Sequence, residues 1–201
     1  MNRRILQLKR IGAKLKRIPH RKGYGVHSPF AFRLITEVIS ESYPYYGYTD
    51  IKKSLNTPRI LSTKVLKLIF RLVNWLQPIT ILEVGSVSIL EIPVTKAKKN
   101  VQFIHTETLD SLSETKHLRA DLVFIHNKTA ETLKETKENL LKLVHSNSLV
   151  VISGIGYSKE MKALWDNIQQ DERVGITFDL YEVGLVFFDL EMNKQDYKVN
   201  F

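Results

Sequence analysis

Two apolar runs in the middle of the chain end in residues that could do chemistry. Thr80-Ile81-Leu82-Glu83-Val84-Gly85 closes in an acid and a glycine, and Asp121-Leu122-Val123-Phe124-Ile125 runs into His126. A histidine at a strand end over a crevice can serve as a general base near neutral pH, although no acid stands at a fixed spacing to orient it. Glu83 has a use that needs no ligand, since a carboxylate can bridge a crevice by accepting backbone N–H groups. His27 either faces such a crevice or anchors the turn before Pro29, and His105, His117 and His145 receive no role. Tyr43, Tyr45, Tyr46 and Tyr48 surround Pro44 and Gly47; such clusters stack on flat ligands or, more commonly, wall a core with their hydroxyls in water. The chain has no cysteine, which excludes a disulfide framework, a thiolate metal site and a cysteine nucleophile together.

The elements that must position these residues are legible from periodicity. Ser28 reads as an N-cap with Pro29 at the first helical position, and Ala31 to Ser40 continues at helical spacing. A second helix is expected from about Thr63 to Leu76, with Val65, Leu68, Ile69, Leu72 and Leu76 on one face and Gln77-Pro78 as its stop. Thr80 to Gly85, Val101 to Thr106, Asp121 to Ile125 and Ser148 to Ile152 read as buried parallel strands. Helices over Lys128 to Val144 and Lys159 to Gln170 alternate with them. Gly175 to Tyr181 and Gly184 to Asp189, separated by a short turn, can form only an antiparallel hairpin. Alternation of this kind predicts an α/β chain with a doubly wound, mostly parallel sheet.

Length and charge bound the rest. At 201 residues the chain is one domain, or one with an appendage, and its 43% hydrophobic and 25% charged content is ordinary for a globular protein. No apolar run approaches the roughly 18 residues of a spanning helix, and the charged N-terminus leads into no apolar signal region, so the cytoplasm is the default location. The net charge of +9 is concentrated: residues 1–36 hold ten basic residues and no acid, leaving 20 of the 30 basic residues against all 21 acids elsewhere. Ile5, Leu8, Ile11, Leu15 and Ile18 fall in one sector of a helical wheel, while Arg3, Arg4, Lys9, Arg10, Lys14, Lys16 and Arg17 lie largely opposite; Pro19 ends the helix. Such a helix suits an anionic membrane surface, nucleic-acid phosphates, or docking of its apolar stripe on the protein's own body. The chain divides accordingly into a basic helix (1–22), a helical and loop segment (23–62) and an α/β domain (63–201).

Specific strings resemble a known family. Tyr24-Gly25-Val26-His27-Ser28-Pro29-Phe30 is similar to the HGVHSPF-type segment that opens one bacterial group of class I S-adenosylmethionine-dependent methyltransferase-like proteins. Leu68 to Val73 is similar to the helix before their first strand, and Phe178 to Phe188 to their closing hairpin. The resemblance implies a Rossmann-like sheet with the cofactor at the carboxyl ends of the strands. It implies that Glu83, Gly85 and Ser86 lie in the cofactor turn and that Glu107, after the second strand, holds the ribose hydroxyls. Departures are concentrated in the loops. The turn Gly85-Ser86-Val87-Ser88-Ile89 lacks the family's second glycine, and Pro93 is expected to interrupt the helix that follows. His126 and Ser153-Gly154 replace the acids that hold a divalent ion in related O-methyltransferases, so no metal is expected. The stretch from Glu107 to Asp121 is too short for the usual helix and strand, which predicts a shortened sheet.

Three functions follow. The first is a methyltransferase-like pseudoenzyme, a non-catalytic binding or scaffolding module. The second is an active, metal-independent methyltransferase using S-adenosylmethionine on an unknown acceptor. The third is a protein working through residues 1–22 on a membrane surface or a nucleic acid, with Arg3, Arg4, Lys9, Arg10, Lys14, Lys16 and Arg17 as contacts, cytoplasmic or peripheral to the membrane. Homo-oligomerisation stays open.

Overall fold

Local signals set the helix ends. The Ser28 hydroxyl accepts the Ala31 N–H at 3.3 Å and starts α1 (Pro29–Arg33) with its proline at the first position. The expected single helix then widens into a π-helix over Leu34–Ile39, which buries Leu34, Ile35, Val38 and Ile39. α2 (Gly47–Lys53) follows, and α3 (Thr63–Leu76) begins at Ser62, whose hydroxyl accepts the Val65 N–H. α3 stops where Gln77 turns left-handed, φ 52°, ahead of Pro78. The structure, a computed structural model, describes residues 11–13, 15–17, 19, 23–53, 61–113, 118–126 and 133–201. Arg3, Arg4, Lys9, Arg10 and Lys14, and the start of the helix expected from Lys128, lie outside them.

From there strand and helix alternate: β1 (Thr80–Val84), α4 (Glu91–Ala97), β2 (Gln102–Thr106), α5 (Asp110–Ser113), β3 (Leu122–Ile125), α6 (Leu133–Leu143), β4 (Leu149–Ser153), α7 (Lys159–Gln169), β5 (Ile176–Asp179), β6 (Val183–Phe187) and β7 (Gln195–Lys198). The seven strands form one sheet in the order β2-β1-β3-β4-β6-β5-β7. β1 to β4 are parallel, β6 runs antiparallel to β4 and β5, and β7 is parallel to β5. This is the mostly parallel α/β sheet with a C-terminal antiparallel hairpin that the alternation predicts. Among the described residues, only the four-residue α5 lies between β2 and β3, so β2 is an edge strand.

Two differences stand out. Pro93 does not interrupt a helix: α4 forms around it, because Pro93 is the third residue of the first turn, where an N–H has no intrahelical acceptor to lose. β7 was not anticipated, since Gln-Asp-Tyr-Lys is polar and buries only Tyr197; an edge strand needs no apolar run.

Apolar layers cover both faces of the sheet. On one, α1, the π-helix, α2, α3 and α4 pack over Ile81, Phe124, Val151, Phe178 and Leu185. On the other, α6 and α7 pack over Leu82, Val123, Val150 and Val186. Buried Arg71 on α3 ties the first layer together: Nε donates to Val38 O at 2.5 Å, Nη2 to Ile39 O at 3.1 Å and Nη1 to the Tyr48 hydroxyl at 2.9 Å. Its guanidinium thereby satisfies carbonyls at the end of the π-helix.

Candidate functional site

Parallel pairing carries three strand ends to one edge. Val84 lies between Thr106 and Ile125 in register, and the ladder continues one step further. Gly85 N–H donates to Thr106 O at 2.9 Å, and His126 N–H to Val84 O at 3.1 Å. Glu83, Gly85, Glu107 and His126 therefore share the carboxyl edge of the sheet.

The carboxylate of Glu83 is fully buried and turned into its own loop. Oε1 accepts the N–H groups of Ile89 (2.9 Å) and Leu90 (3.1 Å), and Oε2 accepts the Ser88 hydroxyl (2.7 Å). Those three donors lie just ahead of α4, so the acid closes the β1–α4 turn. His126 completes the closure. Its Nε2 stands 3.4 Å from Glu83 Oε1, both side chains are wholly inaccessible, and among the described residues neither ring nitrogen has a hydrogen-bond partner. The ring lies directly on Gly85: a Cβ at that position would sit 2.3 Å from His126 Cε1 and Nε2 and 2.8 Å from Cδ2. Gly85 does not have a positive φ, so the requirement for glycine here is steric, imposed by the imidazole.

The structure brings Glu83, Gly85 and His126 into one buried cluster, while Ser86 and Glu107 sit exposed at its margin. His105 gains a contact, its Nε2 lying 2.8 Å from Gly85 O. At the neighbouring strand end, Gly154 (φ +84°) donates to Glu182 O at 2.7 Å and Ser153 is buried. Among the described residues no group of three or more histidines and acids could hold a metal ion. The partnership of Glu83 and His126 was invisible to spacing, because it depends on β1 and β3 being neighbours in the sheet. The tyrosine cluster divides. Tyr45 and Tyr48 pack on Phe70 with ring centroids 5.4 and 5.5 Å away, and burial, with Glu41 adding to it, pushes the Tyr45 hydroxyl up from its ordinary value. Tyr43 and Tyr46 face solvent.

A second polar cluster lies where β5 and β7 end. Arg17 Nη1 donates to Asp179 O at 2.6 Å, and Nη2 pairs with Asp179 Oδ2 at 2.8 Å. Its guanidinium stands 5.8 Å from the centre of the Tyr181 ring. Beside these residues a cavity of about 680 Å³ is lined by Gly23 to Val26, Lys162, Trp165, Asp179 and Gln195 to Val199.

The sheet order, the antiparallel hairpin and the strand-end turn together define the fold of the class I S-adenosylmethionine-dependent methyltransferases. Solved structures of that class match the chain. The S-adenosylhomocysteine-bound methyltransferase PaMTH1 of Podospora anserina superposes with a TM-score of 0.54 at 10% identity, over 81% of this chain and 96% of its own. The O-methyltransferase TomG of Streptomyces achromogenes, in complex with S-adenosylmethionine, does so with a TM-score of 0.50 at 14% identity, over 73% and 91%. A putative O-methyltransferase from Klebsiella pneumoniae gives 0.50 at 10% identity, over 76% and 94%. Comparison with protein-family models and with curated proteins gives no match. At these identities the likeness is one of fold.

Proposed function

We propose that this chain is a methyltransferase-like protein whose cofactor crevice is closed by its own residues, and that it acts as a binding or scaffolding module without transferring a methyl group. The observation that carries this reading is the His126 ring on Gly85. In this fold the glycine after the first strand leaves room for the cofactor to approach the backbone. Here an imidazole takes that room, and the carboxylate that closes β1 is occupied by Ile89, Leu90 and Ser88 of its own loop. Residues so arranged do not fit S-adenosylmethionine, and no chemical step is assigned to it.

A second reading, an active methyltransferase without a metal, has one feature in its favour: Glu107 directly follows β2 with an exposed side chain, the position from which an acid reaches ribose hydroxyls. Calorimetric titration with S-adenosylhomocysteine, run beside a thermal-shift scan, separates the two. The closed crevice gives no heat and no shift at millimolar ligand, where a site of about ten micromolar affinity would add roughly 2.7 kcal/mol of stability. Binding to the unaltered protein that Glu107→Ala abolishes would overturn the closed crevice and favour the second reading, which methyl transfer to an acceptor would then establish.

A further inference from the structure

We propose that the N-terminal segment is a foot for an anionic lipid surface, with Ile11 and Leu15 entering the lipid interface and Arg17 fixing the segment to the α/β body. Residues 11–13 and 15–16 are helical, which sets Ile11 and Leu15 one turn apart on the same side. A helix that docks on its own protein buries its apolar side chains and leaves its cations in water. Here the described apolar positions stay in water, Ile11 being 55% and Leu15 62% exposed, whereas one cation, Arg17 in the turn that follows, has a side chain only 14% exposed. Arg17 is held by Asp179 O, Asp179 Oδ2 and, at 3.4 Å, Val199 O. Arg17 is thus docked, and Ile11 and Leu15 face outward.

The exposed apolar surface is concentrated where acids are missing. Among the described residues ten large apolar side chains stand exposed, and four of them, Ile11, Leu15, Tyr24 and Phe32, fall in the first 33 positions. Residues 1–36 contain no acid, and the sequence supplies Arg3, Arg4, Lys9, Arg10 and Lys14 beside the exposed Lys16. Cations beside an outward apolar side match the chemistry of a lipid interface, phosphate headgroups over acyl chains. Nucleic acid would use the cations and leave Ile11 and Leu15 in water. A second copy of the chain would bring two acid-free basic segments together against their mutual repulsion. Neither alternative uses both features. The inference is independent of the closed crevice and is read by a different measurement.

The test is co-sedimentation of the full chain with phosphatidylcholine vesicles, with and without about 30% phosphatidylglycerol, at low salt. The same measurement follows on Ile11→Ser/Leu15→Ser, which leaves the charge unchanged at two exposed positions. The expected result is binding to the anionic vesicles only, weakened about tenfold or more in the double variant at an unchanged melting temperature. A fluorescent single-stranded RNA provides the competing arm. No binding to anionic vesicles, binding that the serines leave unchanged, or RNA binding tighter than vesicle binding and indifferent to the serines would each overturn the proposal.

Discussion

If the imidazole of His126 is what demands a glycine at position 85, then Gly85→Ala must be destabilising, and the penalty must depend on His126. The new Cβ would lie 2.3 Å from two ring atoms and 2.8 Å from a third, roughly an ångström inside ordinary carbon contact. The ring cannot yield into solvent, because its side chain is wholly buried. Forced overpacking of this kind costs about 1–3 kcal/mol, or roughly 3–10 °C of melting temperature in a chain of this size. With the ring removed the sign changes. Gly85 does not have a positive φ, so alanine there restricts the unfolded chain and is worth about 0.4–1 kcal/mol of stability. Urea denaturation of the wild type, Gly85→Ala, His126→Ala and the double variant closes a cycle in which the loss of the ring on its own cancels. The expected coupling is about 1–3 kcal/mol, the overpacking cost that disappears with the ring, with the double variant more stable than the sum of the singles. Additivity within about 0.5 kcal/mol would mean that the ring does not rest on the glycine, and the closed crevice would lose its support.

Two further predictions concern the frame. Arg71→Met removes the donor from Val38 O, Ile39 O and the Tyr48 hydroxyl; leaving buried carbonyls unpaired should cost about 3 kcal/mol in urea unfolding, against about 1 kcal/mol for Tyr48→Phe. An equal effect of the two variants would show that the carbonyls find other donors. Hydrogen bonds from Arg173, opposed by burial but reinforced by Lys137, hold the Asp171 carboxyl well below the usual carboxylate range. A folded pKa lowered beneath the unfolded value of about 3.9 contributes stability that is present above that value and is lost as pH falls toward the folded one. Asp171→Asn should therefore be less stable than the wild type at pH 7, with the gap closing below about pH 4; a gap of constant size across the acid range would refute the assignment.

How much was legible depended on whether a residue's neighbours are near in sequence. β1, β3 and β4 announced themselves because both of their faces are covered, which makes Leu122 to Ile125 and Leu149 to Ile152 continuous apolar runs. The end of α3 was marked by Gln77-Pro78, a signal within a turn of it. β7 left no such trace: it pairs along one side only and alternates polar residues around Tyr197. The widening of the helix at Leu34–Ile39 was equally hidden, since its terminal carbonyls are met by Arg71, which is distant in sequence. At the candidate site, the residues were found but their relationships were not. Glu83 and His126 meet only because β1 lies beside β3, a property of topology that no spacing encodes.

That distinction decides how the cofactor residues should be weighed. Glu83 and Gly85 match the family's strand-end turn, and on sequence they count as surviving binding residues. In the folded chain each has an internal duty that would retain it without any ligand. Glu83 gathers the N–H groups of Ile89 and Leu90 ahead of a helix entry that has no N-cap side chain of its own, Leu90 standing at that position. Gly85 admits a buried imidazole. Glu107 has no such duty among the described residues, and its side chain lies exposed at the margin. A motif residue argues for a ligand only to the extent that the fold gives it nothing else to do. By that measure Glu107, and not the two residues that look best preserved, is where retained cofactor binding would be detected.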